Sequence, residues 1–341
     1  MFSRQSRHRL RAGGTIRVRS EADILATLDE HGRIDGQPFQ PEMLRFVGQE
    51  MTIYKSAHKT CDTVAKTGNT LKMDHAWHLE GARCDGSAHG GCQQRCMHFW
   101  KEEWLEYADG TPVKAPETRR PSAVVVDRST LDDDTQQASS TPDEPVYRCA
   151  ATELLNSTTL VSPLSPTLYL ADIRTGNASV RKVSFVVGMT LFNKYQSLSK
   201  RLPKFLRVKD GEPYPFAEGT NVGKSVGPAN TGLQIGERVR VRPRHEIVPT
   251  LNADLKNRGL WFDPEMFGFC DKEGEVLDRV ERIIDEGTGK MITLKDCVII
   301  DGMTCDGWLH RLCPRSDYNY FRELWLDRVE PAATSTTSST S

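Results

Sequence analysis

The sequence predicts a mainly β chain with some α. It reads as two tandem SH3-like small barrels with metal-knuckle loops, joined by a disordered linker and a helical segment. Two observations carry this expectation: the chain repeats itself, and each copy is written in short strand-like runs. "RCDGSAHGGCQQRC" (residues 83–96) has a partial copy in "TCDGWLHRLCPR" (residues 304–315). The copy keeps Cys-Asp-Gly, the His and the second Cys at the same spacing, and lacks the third Cys. Other blocks match in the same order. "TIRVRSEADILATL" (15–28) pairs with "RVRVRPRHEIVPTL" (238–251), "PFQPEMLRF" (38–46) with "WFDPEMFGF" (261–269), and "FWKEEWLEY" (99–107) with "YFRELWLDR" (320–328). Matching blocks in one order mark an internal duplication.

The elements follow in chain order. Residues 1–12 are a basic tail, and repeat 1 spans 13–108. There "IRVRS" alternates apolar and basic residues, as a half-exposed strand does. "EADILATLDEHG" fits a helical turn closed by Gly36. "EMTIYKSAHKTCDT" reads as a strand entering a hairpin, and "WLEYA" as a final strand. Residues 109–145 are rich in Pro, Ser, Thr and charge; they cannot bury a core and predict a disordered linker. Residues 146–234 form a helical connector. "SPTLYLADIRTGN" opens with a Ser-Pro helix start, and "ASVRKVSFVVGMTLFNKYQSLSKRL" is long enough for a second helix. Repeat 2 spans 235–330, with "DEGTGK" as a turn signal and "MITLKDCVIID" as the returning strand. Five short strands and a helical insertion predict the small barrel in each copy. Residues 331–341 are a low-complexity, disordered tail.

Composition narrows the function classes. The chain has 341 residues, 38% apolar and 27% charged, with a formal net charge of −1. A near-neutral chain of this kind points away from a nucleic-acid partner. No secretory signal is visible, and no apolar run reaches the roughly 18 residues that span a bilayer. A cytoplasmic location is therefore expected. Thiols stay reduced there, and clustered Cys hold metal more often than they form disulfides.

The nine Cys are the main chemical signal. Repeat 1 offers Cys61, Cys84, Cys92 and Cys96; repeat 2 offers Cys270, Cys297, Cys305 and Cys313. Four thiolates in each copy would satisfy a tetrahedral metal without water. Zinc is the expected ion; iron, or an iron–sulfur cluster on the same thiolates, is the alternative. The familiar spacing of two Cys separated by two residues is absent, so the bland reading, buried Cys packed as small hydrophobes, stays open. Cys149 lies outside both repeats and reads as packed or free, or as a replacement for Cys61.

Histidines supply a rival reading. His58, His75, His78 and His89 lie near the first Cys cluster in sequence, and His310 is the counterpart of His89. A mixed His/Cys site with an open position would make repeat 1 a metal-dependent enzyme. The alternative is surface histidines on a polar strand. A third reading is a thiol redox sensor. The repeated "PEM" triplet reads as a turn with Met in the core. Residues 174–209 carry nine Lys or Arg and no Asp or Glu, around the apolar "VSFVVGMTLF". A core helix is expected, and contact with an anionic membrane surface is the alternative.

"HKTCDT", "HLEGARCDGSAHGGCQQRC" and "NRGLWFDPEM…RVERIIDEGTGKMITLKD" resemble a bacterial family of two-repeat, Cys-containing, SH3-like proteins. Its members are often encoded beside glycosyltransferases and other biosynthetic enzymes. The resemblance covers nearly the whole chain except the linker. The family pattern has Cys where this chain has Val47, so no ligand is carried over to that position. The resemblance implies an accessory or scaffold role with a protein partner in a biosynthetic pathway. It brings no activity with it.

Overall fold

The computed structural model describes residues 9–114, 126–162, 165–221 and 231–329. The chain divides into two compact units. Unit 1 comprises residues 1–216, 282–294 and 305–318; unit 2 comprises 217–281, 295–304 and 319–341. The sequence boundary of repeat 2 is therefore not the structural one. Its hairpin, Arg282–Ile284 with Met291–Thr293, and its Cys305 loop belong to unit 1.

Each unit is built on a five-stranded antiparallel sheet. In unit 1 the spatial order is Trp100–Lys101, Ala76–Leu79, Glu50–Ser56, Thr15–Val18, Leu105–Glu106. In unit 2 it is Phe321–Arg322, Cys297–Ile300, Glu273–Arg279, Arg238–Val241, Leu326–Arg328. The two orders are the same when read through the repeat. The alternation in "TIRV" works as expected: Ile16 and Val18 are buried while Thr15 is exposed. A 3-10 turn at Glu102–Trp104 separates the last two strands, and they pair at opposite edges of the sheet. Glu323–Trp325 does the same in unit 2.

The sheets are mixed with a few helices, and the described strands do not close into a barrel. Trp100–Lys101 and Leu105–Glu106 remain the two edges. With only two residues each, neither edge strand is long enough to complete a ladder. The unit 1 core gathers Ile16, Val18, Phe39, Met43, Ile53, Leu79, Trp100 and Trp104. "PEM" is a 3-10 turn with a buried Met, as expected.

The linker differs from expectation where it is described. Residues 115–125 lie outside the described residues, as do the tail residues 1–8 and 330–341. The rest of the expected linker, residues 126–145, carries ordered structure. Arg128–Asp133 is a helix opened by a capping box in which Asp127 accepts from the Thr130 N–H. Leu131 anchors it in the core. Composition alone missed that one buried leucine and one cap suffice to dock a short polar helix.

The connector carries the two expected helices, Pro166–Thr175 and Val180–Ser199. The first has Pro at its start and ends at Gly176, with φ 80°. The second is capped by Ser179, which accepts from the Lys182 N–H. Val183, Val186 and Met189 pack with Tyr169 and Leu312, so one face is core. Phe185 and Leu191 remain about half exposed. Among the described residues no helix is long and apolar enough to cross a membrane.

Candidate metal centre

A glycine folds each cysteine loop. Gly86 has φ +72°, and a Cβ on it would lie 2.1 Å from the Cys92 carbonyl oxygen. Gly307 has φ +73°, and a Cβ there would lie 2.4 Å from the Cys313 carbonyl oxygen. Only glycine permits so close a return of the chain, which explains why Cys-Asp-Gly recurs at a fixed distance from the second Cys. The Cys84 N–H donates to the Cys96 carbonyl at 2.8 Å, and the Cys305 N–H donates to the Asp317 carbonyl at 2.8 Å. Asp317 thus occupies the position that Cys96 holds in the first loop.

The first loop opens onto a cavity in unit 1. A water-sized sphere can move its centre through about 30 Å³ of it. One water needs only about 10–15 Å³, so the space is larger than a hydration site. Cys84, Cys92, Cys96 and Cys149 all line it. Apolar groups, including Met97, Phe99 and Ile284, complete much of the wall. Cys149, the thiol outside both repeats, therefore joins the three loop thiols here, and Cys61 does not line the cavity. Burial pushes the Cys84 and Cys96 thiols well above their ordinary value and Cys149 up to about 11. An ion binding here must displace those protons.

One side of the cavity carries a tighter group. The ligand atoms of Glu42, Cys84 and His89 lie within 4.8 Å of one another. Glu42 Oε1 accepts from the Ala88 N–H at 3.1 Å and pairs with His89 Nδ1 at 2.6 Å. Burial raises the Glu42 carboxyl, but the His89 hydrogen bond and local N–H groups outweigh it and hold it below its ordinary value. Its Oε2 is buried and has no hydrogen-bond partner among the described residues. His89 Nε2 meets the Arg148 carbonyl oxygen at 3.0 Å. Both imidazole nitrogens thus face oxygen acceptors. A ring donating from both has no lone pair for a metal, so His89 would have to release one partner to ligate. Sequence reasoning had placed Glu42 in a turn and missed its carboxylate; no ligand spacing joins residues 42 and 84.

The remaining predicted ligands are distributed as follows. Cys61 Sγ lies 3.3 Å from Cys313 Sγ, and the Cys61 N–H donates to Cys313 Sγ at 3.3 Å. Cys305 shares the second loop with Cys313 in unit 1. Cys270 and Cys297 belong to unit 2. Cys297 is buried on its strand and donates to the Lys295 carbonyl at 3.3 Å, while Cys270 packs against the unit 2 core. Burial pushes both thiols up to about 11.

Two histidines come within ligand spacing of a cysteine among the described residues: His89 beside Cys84, and His310, its counterpart, beside Cys305 in the second loop. His78 is fully buried, and its Nδ1 meets the His98 carbonyl oxygen at 2.9 Å. His58 lies between Ser56 Oγ and the Leu168 carbonyl oxygen, each at 3.2 Å. His75 is half exposed beside Glu102, at 3.0 Å. The four repeat 1 histidines do not converge on one point, because strand alternation and separate turns send them in different directions.

No family model matches the chain, and neither the curated proteins nor the solved structures contain a match.

Proposed function

We propose that this chain is a metal-binding protein of accessory or scaffold type in a bacterial biosynthetic pathway, with its metal in the cavity of the first cysteine loop. The observation that carries the reading is the convergence of Cys84, Cys92, Cys96 and Cys149 on one cavity, with the buried Glu42 carboxylate beside it. Thiolate-rich sites select zinc or iron over magnesium and calcium. The dispersal of His58, His75 and His78 supports a non-catalytic role, since among the described residues no His/Cys site forms around them. The pathway setting and the protein partner rest on the family resemblance of the cysteine-loop and "NRGLWFDPEM" motifs. In each unit, the strand order and the 3-10 turn before the last strand support the SH3-like reading.

Elemental analysis of the purified full chain, loaded with zinc or iron without oxygen, tests this. Tightly held metal should be present, and Cys84→Ser should lose it. A chain that binds neither metal, or a variant that keeps its full metal content, would overturn the reading.

A further inference from the structure

We propose that the cavity holds a polynuclear iron–sulfur cluster ligated by Cys84, Cys92, Cys96 and Cys149; this rests on the reading of that cavity as the metal site. The first argument is spacing. Zinc–sulfur bonds are about 2.3 Å, so four thiolates on one tetrahedral zinc stand less than about 4 Å apart. Among the described residues, no three of these four sulfurs lie within 4.8 Å of one another. They surround a space instead of meeting at a point. A cluster core of several irons and sulfides separates its cysteine ligands by its own width.

The second argument is what reaches the sulfurs. The Gly86 N–H donates to Cys84 Sγ at 3.3 Å, and the Ile284 N–H donates to Cys92 Sγ at 3.4 Å. Such bonds favour charged sulfur and are among the groups that tune thiolate-ligated clusters. The third argument is the wall. Its apolar part, which includes Met97, Phe99 and Ile284, limits the water around a cluster, and the charged groups of the wall are already paired, Arg315 with Glu286 at 2.9 Å. Cys149 is then explained: a packed or free thiol has no reason to lie among three loop cysteines.

The assembly balances. Two ferrous ions, two ferric ions and four sulfides make a core of charge +2, and each of the four thiols loses a proton as it forms one iron–sulfur bond. The product carries charge −2, and no external oxidant is needed.

The experiment is anaerobic reconstitution of the full chain with mixed ferrous and ferric iron and sulfide, followed by desalting. Iron, acid-labile sulfide and the visible charge-transfer absorbance are then measured, and zinc loading is run in parallel. We expect iron and labile sulfide in equal amounts, close to four of each per chain. Cys149→Ser should lose the intact cluster, and Cys270→Ser should keep it. Zinc bound at one per chain, independent of Cys149, with no retained sulfide, would overturn the cluster and leave the metal-site reading standing. Binding of neither metal would overturn both. If Cys149→Ser does not fold, the iron-to-sulfide ratio of the unaltered chain still decides.

Discussion

Cys61 Sγ and Cys313 Sγ lie 3.3 Å apart although the residues are 252 positions apart in sequence. Cys313 is the repeat 2 counterpart of Cys92, so equivalent cysteines have separate surroundings. Cys92 lines the cavity, whereas Cys313 faces a thiol on the Lys59–Cys61 strand. Within the pair, the hydrogen bond from Cys61 lowers the Cys313 thiol, Arg315 adds to this, and burial opposes it. Cys313 is therefore the nucleophilic member.

Mild peroxide should join this pair. The Cys313 thiolate attacks peroxide to give a sulfenic acid and hydroxide; the Cys61 thiol then attacks the sulfenic sulfur, its oxygen leaves as water, and the disulfide forms. Peptide mapping without reduction should recover the Cys61 and Cys313 peptides linked, and dithiothreitol should separate them. Recovery of both as unlinked thiols after peroxide has oxidised other cysteines of the chain would contradict the assignment.

Glu42 should matter to stability even without metal. Its carboxylate accepts from the Ala88 N–H and pairs with buried His89. Glu42→Ala leaves both groups without that partner, at a cost of about 3 kcal/mol. Glu42→Gln retains an acceptor and should cost less. Urea unfolding of the metal-free chain measures both; a loss below about 1 kcal/mol for Glu42→Ala would refute the role given to this pair.

Neighbouring residues on the long helix should respond oppositely. Val186 is fully buried against the Tyr169–Leu312 cluster, while Phe185 is 51% exposed and meets the Trp308 ring at 6.0 Å. Val186→Asp should cost on the order of 4 kcal/mol, since it buries an unpaired charge. Phe185→Asp should cost about 1 kcal/mol and leave the chain folded. Circular dichroism during thermal unfolding separates the two, and equal effects would mean that this helix packs on a different face.

Strand identity was legible in the sequence because "TIRV" and "RVRV" alternate, and the loop turns were legible because Gly86 and Gly307 stand at fixed offsets. The division into units was not. Repeat 2 reads as one block, yet its hairpin and Cys305 loop belong to unit 1, and long-range packing of this kind leaves no periodic trace. The cavity was half legible. Three loop cysteines announce themselves by proximity, whereas Cys149 and Glu42 arrive from distant segments through tertiary folding. The helix at Arg128–Asp133 was missed because linker composition hid its cap and its single anchoring leucine.

Acid should destabilise unit 1 through its buried histidines. Burial holds His78 at about 3, and His58 and His98 at about 4, each below the ordinary 6.5. Their folded forms are neutral, so the unfolded chain takes up these protons first as pH falls through 6.5. Their stabilisation is present above that pH and is lost progressively down to about pH 3–4, at up to about 1.4 kcal/mol per pH unit for each proton. Asp172 acts in the opposite sense. Burial raises it to about 6, against the pull of Lys59, so the folded chain takes up its proton first below that pH. One of the three histidine protons is thereby offset, and the net slope between pH 6 and 5 should approach about 3 kcal/mol per pH unit. Urea midpoints followed by tryptophan fluorescence at about pH 7, 6 and 5 measure it. His78→Gln keeps a donor for the His98 carbonyl and should flatten the slope by about one proton's worth. Stability that holds constant or rises over this acid range would show that the buried histidines are not neutral in the folded chain.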